Sequence, residues 1–329
     1  MDPLPVIFSP VKLGVVGLGK FGCLHAATIG SLVESQLVAV VDQDAQRLSQ
    51  TANQFPGTAQ WNDIKKALTE SDAEAWIVAS STASHVPITE LLLAAGKPVL
   101  LEKPLATSVT ETQSLAPLVE ADSRNLMLGH ILLFNSEFLQ LQQEVKQRGA
   151  ISYIDCVRHR PAQTMEEYPG ESPFHLTMVH DLYMTQVLKN CEEPEQITAQ
   201  AHYTQQGQCD LGLAQLKWSD GSLASFSASF MTPEGLGNEG FDRLEAFGPG
   251  WAARISANPR PLEFWDDRSR WPMTLEMSTS EIASTGILSE ELRCFCRVVR
   301  GLQTVPVGAT FQDALQIQRW LQQMAASLE

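Results

Sequence analysis

The chain has 329 residues, 44% of them hydrophobic and 19% charged, an ordinary globular mixture long enough for two domains. Its formal net charge of −15 excludes a nucleic-acid partner, whose phosphates demand a basic patch, and an anionic membrane surface. No run approaches the ~20 apolar residues of a membrane span, and the acidic, proline-broken start Met1-Asp2-Pro3-Leu4-Pro5 is unlike a signal peptide.

Residues 11–17 are an apolar run ending in glycine, the pattern of a buried parallel strand. Residues 21–31 then read as a helix that starts on the glycine turn. A second buried strand over 37–42 is closed by Asp42, and helices follow over 44–54 and 62–70. The pattern continues with a strand at 75–79, a helix at 85–95 that stops at Gly96, a strand at 98–102, a helix at 110–121 and a strand at 125–129. Strands alternating with helices at this spacing predict a doubly wound parallel sheet with right-handed crossovers.

Beyond about residue 150 the rhythm changes. Residues 151–158, 196–205, 212–218 and 222–229 alternate with period two, and Asp220-Gly221 is a two-residue hairpin turn. Strands at 244–247 and 252–255 flank Gly248-Pro249-Gly250. The last segments, 289–300 and 310–328, are amphipathic helices, the first opening on Ser289-Glu290-Glu291 as a capping residue with acids in its first turn. The expected fold is thus α/β plus α+β. A Rossmann domain spans 1–130, and a second domain over 131–329 is built on a large, mostly antiparallel sheet, with the closing helices 289–329 packing back on the first.

Gly17-Leu18-Gly19-Lys20-Phe21-Gly22 gains weight from its context. It follows a strand, opens a helix, and Asp42 stands twenty positions after Gly22. Gly17 permits the tight turn, Gly19 lets backbone approach a pyrophosphate, and Gly22 lets helix pack close to strand. The amides of Lys20 and Phe21 at the helix N-terminus face the negative charge. Asp42 can accept hydrogen bonds from ribose hydroxyls, while its charge repels a 2′-phosphate and its neighbour is Gln43 rather than arginine. The expected cofactor is therefore NAD, with NADP disfavoured.

The chain resembles the glucose–fructose oxidoreductase and inositol dehydrogenase (Gfo/Idh/MocA) family along nearly its whole length. The resemblance rests on the glycine turn, the loop Ser80-Ser81-Thr82-Ala83-Ser84-His85, the run from Ala95 through Glu102-Lys103-Pro104 to Ala106, Gly129-His130 and the pair His180-Asp181. It implies hydride transfer at a hydroxyl carbon of a sugar, polyol or nucleotide-sugar. It also puts Ser80, Ser81, His85, Glu102 and Lys103 at the cofactor and makes Lys103 and His180 the catalytic pair. Independently, Lys103 follows a parallel strand's carboxyl end, the edge where ligands bind, and histidine suits proton transfer near neutral pH.

The sequence departs from the family pattern at three places. Leu176, with His175 beside it, stands where an aspartate often precedes the catalytic histidine by four residues. Ser81 replaces a usual proline, and Leu133 an arginine often found after Gly-His. The alternative reading is a dinucleotide-binding regulator on the same fold. Candidate substrate contacts are His130, Asn135, Arg158, Arg160, His175 and Asp181, the two arginines suiting a carboxylate or phosphate. Trp218, Trp251, Trp265 and Trp271 read as packing residues rather than sugar platforms. Six cysteines without a Cys-x-x-Cys pair read as reduced thiols in a cytoplasmic protein with no metal site. A mostly apolar outer face on the second sheet is expected to pair copies into a homodimer or homotetramer.

Overall fold

The computed structural model describes residues 9–233, 241–256, 262–265, 269–270 and 286–328. They fall into two compact units. One contains the described residues up to Phe134 together with those from 286 to Gln312, and the other those from Asn135 to 270 together with those from Asp313 on.

In the first unit six strands alternate with helices: β1 (Val11–Val16), α1 (Lys20–Ser31), β2 (Ser35–Val41), α2 (Ala45–Gln54), β3 (Ala59–Trp61), α3 (Ile64–Glu70), β4 (Ala75–Val78), α4 (Thr82–Ala94), β5 (Val99–Glu102), α5 (Val109–Thr112) and β6 (Leu126–Gly129). The sheet order is β3-β2-β1-β4-β5-β6, and every pairing is parallel. Parallel strands are buried on both faces, so they read as unbroken apolar runs. Val11, Leu13, Val15, Trp76, Ile77, Leu100, Leu101 and Met127 are accordingly at 0% exposure, each contributing roughly 1.5–3 kcal/mol of apolar transfer if aliphatic. Gly14 is required by this packing, because a Cβ there would stand 2.4 Å from the Trp76 ring.

The helices carry local start signals. Asp44 and Asp63 accept amide hydrogen bonds at the N-termini of α2 and α3. The helix expected over 110–121 is cut to the single turn α5, because Pro117 lacks an N–H and its ring collides with the carbonyl four residues back. Strand β3 was not legible: it is three residues long, sits at the sheet edge and is partly exposed.

The second unit contains α6 (Ser136–Arg148), β7 (Tyr153–Pro161), the short α7 (Thr164–Glu167), a π-helical turn over Phe174–Met178 and α8 (Val179–Leu188). There follow β8 (Gln196–Tyr203), β9 (Cys209–Lys217), β10 (Leu223–Thr232), β11 (Phe241–Gly248), β12 (Trp251–Ser256), β13 (Leu262–Trp265) and β14 (Ser269–Arg270). Helix α9 (Ile287–Val299) belongs to the first unit, and α10 (Phe311–Ala326) lies in the second from Asp313 on. The sheet runs β14-β13-β12-β11-β7-β10-β9-β8. It is antiparallel except where β10 pairs with β7. A hairpin joins β9 to β10 as expected, but its loop is three residues, 219–221, rather than two: the Trp218 amide bonds the Ser222 carbonyl and the Gly221 amide the Trp218 carbonyl, both at 3.0 Å, with Gly221 at φ +83°.

Two helices outside the expected set organise this unit. Asn135 caps α6 and Gly149 ends it at φ +91°, a start and stop that the sequence does display. Nine residues of α8 are buried, and His180 is the one of its ten that is not. Trp218 and Trp320 meet edge to face at 6.4 Å, and their indole N–H groups donate to the Glu192 carbonyl and the Glu193 carboxylate, so Trp218 is a packing residue. Trp251 is buried as well; Trp271 and the side chain of Trp265 lie outside the described residues.

The outer face of this sheet corrects an expectation. It alternates apolar Leu213, Leu223 and Phe247 with a polar row of Asp155, Ser225, Glu245 and Arg254. Arg243 pairs with Asp155 at 2.5 Å and Arg254 with Glu245 at 2.5 Å. The face is mixed, because only the inward positions of each strand must be apolar. No helix of the described residues is long and apolar enough to cross a membrane.

Candidate functional site

The order of the first sheet reverses between β1 and β4, and the crevice outside the strands' carboxyl ends lies there. Gly17 leaves β1 at φ +89°, and a Cβ on it would fall 2.6 Å from the Ser80 backbone just past β4. A Cβ on Gly22 would lie 1.8 Å from the Gly17 carbonyl oxygen, so α1 can start this close to β1 only with glycine at position 22. Gly19, the N-cap of α1, has nothing within 4 Å of the Cβ position. Lys20 and Phe21 begin the helix there, and the positive end of a helix dipole favours an anion. The turn is tight behind and open in front, which fits a dinucleotide pyrophosphate.

Asp42, at the end of β2, accepts the Leu18 amide at 2.6 Å and the Asp44 amide at 2.8 Å. The acid expected to read a ribose therefore also shapes the glycine turn. Arg47 approaches it, with Nη1 3.8 Å from the carboxylate.

The loop after β4 and the segment after β5 are joined by His85, whose Nδ1 and Nε2 lie 2.8 and 3.1 Å from the Pro104 and Ser80 carbonyl oxygens. Burial, above all, lowers the pKa of this histidine. Ser84 donates to the Ser80 hydroxyl at 2.8 Å and contacts the Ser81 hydroxyl at 3.2 Å. Lys103, half-buried, follows β5 directly. The Glu102 carboxylate turns into the interior, where Oε1 meets His25 Nε2 at 2.7 Å and Oε2 accepts the Lys103 amide at 3.3 Å.

His130 is buried, with Nδ1 at 2.5 Å from the Gly308 carbonyl. A hollow of 640 Å³, lined by Pro98, Asn125, Glu120 and Leu302 among others, sits at the amino ends of β5 and β6. That is the edge opposite the glycine turn, where doubly wound sheets do not bind their ligands.

In the second unit, His180 Nδ1 meets the Tyr183 hydroxyl at 2.8 Å, with the rings edge to face. Tyr183 is fully buried, so its hydroxyl is a fixed partner. Leu176 lies in the π-helical turn just before α8. Arg158 projects from the inner face of β7 and forks onto Asp181, with Nε and Nη2 donating at 3.0 and 2.9 Å, while Nη1 reaches Asp242 at 2.7 Å. Arg160 joins at the same Asp242. Burial works against the Arg158 charge, but Asp181 and Asp242 outweigh it and hold its pKa above the ordinary value. The structure therefore brings Arg158, Arg160 and Asp181 together as one ionic network. Breaking such a buried pair costs about 3–5 kcal/mol.

Asn135 spends its side chain capping α6, accepting the Phe138 amide at 2.9 Å. His175 faces the Ser172 hydroxyl at 3.0 Å, and burial lowers its pKa. Tyr183 was not among the expected site residues. Tyr183 follows His180 by three positions, a spacing that puts both on one helix face; that signal was available.

Comparison with known proteins agrees with this geometry. Residues 11–130 match the model of the GFO_IDH_MocA oxidoreductase family, NAD-binding Rossmann fold. The chain is 26% identical over 227 residues to UDP-N-acetylglucosamine 3-dehydrogenase of Acidithiobacillus ferrooxidans, 68% of each chain. It is 27% identical over 188 residues to inositol 2-dehydrogenase of Salmonella typhimurium, 55% of each chain, and so spans about half the length of that relative. Among solved structures, the A. ferrooxidans dehydrogenase superposes with a TM-score of 0.82 at 22% identity, over 98% of this chain and 99% of that one. Apo scyllo-inositol dehydrogenase from Lactobacillus casei gives 0.81 at 20% identity, over 97% and 96%.

Proposed function

The chain belongs to the Gfo/Idh/MocA oxidoreductases, with residues 11–130 carrying the family's NAD-binding Rossmann fold, and on that footing we propose that it is a dehydrogenase or reductase acting on a CH–OH group of a sugar, polyol or nucleotide-sugar. The observation that carries this reading is the open approach to Gly19 at the sheet's switch point, with Lys103 leaving β5 on the same carboxyl edge. The two relatives named above are both dehydrogenases, which sets the regulator reading aside.

When bound, the nicotinamide supplies the hydride acceptor or donor. The chain's own residues do the rest. The first-turn amides of α1 hold the pyrophosphate, and Asp42 receives the ribose hydroxyls. Its negative charge beside the turn supports NAD over NADP, with Arg47 as the nearby cation that tempers the preference. Lys103 and His180 stand in different units, and each takes its role from its own surroundings. Lys103, half-buried after β5, relays the hydroxyl proton. His180 exchanges a proton at Nε2, because Nδ1 is held by Tyr183.

The test is a turnover panel of polyols, uronates and nucleotide-sugars followed by NAD reduction, beside titrations of NADH and NADPH. We expect turnover with one class, tighter binding of NADH than NADPH, and a Lys103→Ala variant that binds NADH normally but turns over about 100-fold or more slowly. Tight NADH binding without turnover of any compound, or an active Lys103→Ala enzyme, removes the reading.

A further inference from the structure

His25 on α1, Glu102 at the end of β5 and Glu291 on α9 meet inside the first unit, one ligating atom from each lying within 4.8 Å of the others. His25 and Glu291 are at 0% exposure and Glu102 at 7%. Glu102 is held from both sides, by the imidazole at 2.7 Å and by the Lys103 amide at 3.3 Å. Gly129, its register partner on β6, leaves room for that carboxylate, since a Cβ there would come within 3.1 Å of it. Glu291 has no hydrogen-bond partner for either oxygen among the described residues, and His25 Nδ1 has none.

A buried acid aimed at another acid and an imidazole has three ways to be tolerated: a metal ion, a charged pair, or a proton. The first fits poorly. At 2.7 Å, His25 and Glu102 are at hydrogen-bond distance, whereas two ligands of one ion, each at about 2.1 Å, stand roughly 3 Å or more apart. The second places two negative charges against one imidazole in a largely buried site, which is costly. A proton on Glu291 leaves one carboxylate, Glu102, with both its donors in place. Burial, and then the neighbouring Glu102, push the Glu291 carboxyl well above the ordinary carboxylate range.

Two of the three residues sit on segments of the proposed dinucleotide site, and the third packs against them. His25 lies on the inner face of the helix that begins at the glycine turn, stacked edge-on against Phe21 at 5.4 Å. Glu102 is bonded to the amide of Lys103. Glu291, distant in sequence, closes the group from behind. We propose that Glu291 is a positioning residue of the dinucleotide site, acting through His25 and Glu102 as a buried clasp that fixes the backbone at Lys103 against helix α1. This rests on the reading of the glycine turn and Lys103 given above.

The experiment compares wild type with Glu291→Gln and Glu291→Ala by NADH fluorescence titration, steady-state kinetics, thermal melting, elemental analysis and carboxyl-region infrared spectra. The expected result is that Glu291→Ala, while folded, weakens NADH binding and lowers kcat by about tenfold each, since small displacements of a reacting group cost this much or more. Glu291→Gln, which keeps the shape of a neutral acid, should restore both to within about threefold. The wild-type spectrum should contain a protonated-carboxyl band that Glu291→Gln lacks, a measurement that stands even if Glu291→Ala does not fold. A folded Glu291→Ala with unchanged NADH affinity and kcat overturns the clasp. So does a Glu291→Gln protein as impaired as Glu291→Ala, absence of the infrared band, or one equivalent of bound divalent metal in the purified protein. Failure of the functional reading looks different: wild type itself then shows no turnover, while the infrared band and the effect on NADH binding persist.

Discussion

A hydrogen bond on one ring nitrogen decides what the other can do. For His180 to accept a proton at Nε2, Nδ1 must carry the ring hydrogen and donate it to the Tyr183 oxygen, 2.8 Å away. A phenol fixes tautomer and orientation much as a carboxylate does, but without adding negative charge, and it is available at a site where Leu176 offers no acid. Tyr183→Phe should therefore lower kcat by about tenfold while KM stays within about threefold, the signature of lost orientation rather than lost binding. Steady-state kinetics on the folded variant checks this; an unchanged kcat would remove Tyr183 from the mechanism. The ionic network of Arg158, Asp181 and Asp242 contrasts with it. Its three groups satisfy one another, so its part is to hold β7, α8 and β11 in place.

At the scale of elements, α9 shows how a helix can matter to a site it does not border in sequence. It starts at Ile287 behind Gly286, without a side-chain cap, two residues before the start that Ser289 suggested. Ser289 and Glu291 are buried as a result. Just past its C-terminal end, Arg300 forks onto Glu74 at 2.7 and 2.8 Å and also donates to the Ser9 and Pro10 carbonyls. The guanidinium holds the Glu74 carboxyl down at about 2, against an ordinary 4.5. A depressed carboxyl stabilises the fold above its ordinary pKa, and that stability is lost as pH falls through the folded value. The melting temperatures of wild type and Arg300→Ala should thus differ most above about pH 4.5 and converge as the pH approaches 2. Because Glu74 is partly exposed, salt should shrink the gap. A gap that persists unchanged at pH 2 would show that Arg300 acts through its carbonyl bonds alone.

For the whole molecule, the outer face of the second sheet bears on self-association. Leu213, Leu223, Phe241 and Phe247 are between 36% and 48% exposed there, spaced among ion pairs. Interfaces commonly combine apolar patches with a charged surround. We propose that a second copy of the chain covers this face in a homodimer or homotetramer. Sedimentation at micromolar concentration should give a mass at least twice 36.2 kDa, and Phe247→Asp should shift it towards monomer. A monomeric wild type ends the proposal.

Five of the six strands of the first sheet, and its glycine turn, can be read directly from the residues. Parallel strands must be apolar on both faces, and a turn that leaves the Gly17 carbonyl oxygen 1.8 Å from a would-be Cβ on residue 22 accepts only glycine there. Those constraints are local and leave a mark at fixed spacing. Six of the eight described strands of the second sheet were legible by their alternation, and the turn at Asp220-Gly221 by its residues; the short β13 and β14 were not. Tertiary structure alone decided the partners of the charged and polar groups. That Arg158 belongs to Asp181 and Asp242, that Glu102 faces inward to His25, and that Glu291 stands behind them follows from chain segments up to 266 residues apart, such as His25 and Glu291 (291 − 25), arriving at one place. Hydrogen bonds and charge pairs have no period along the chain, so the sequence names the groups and only the fold chooses which of them meet.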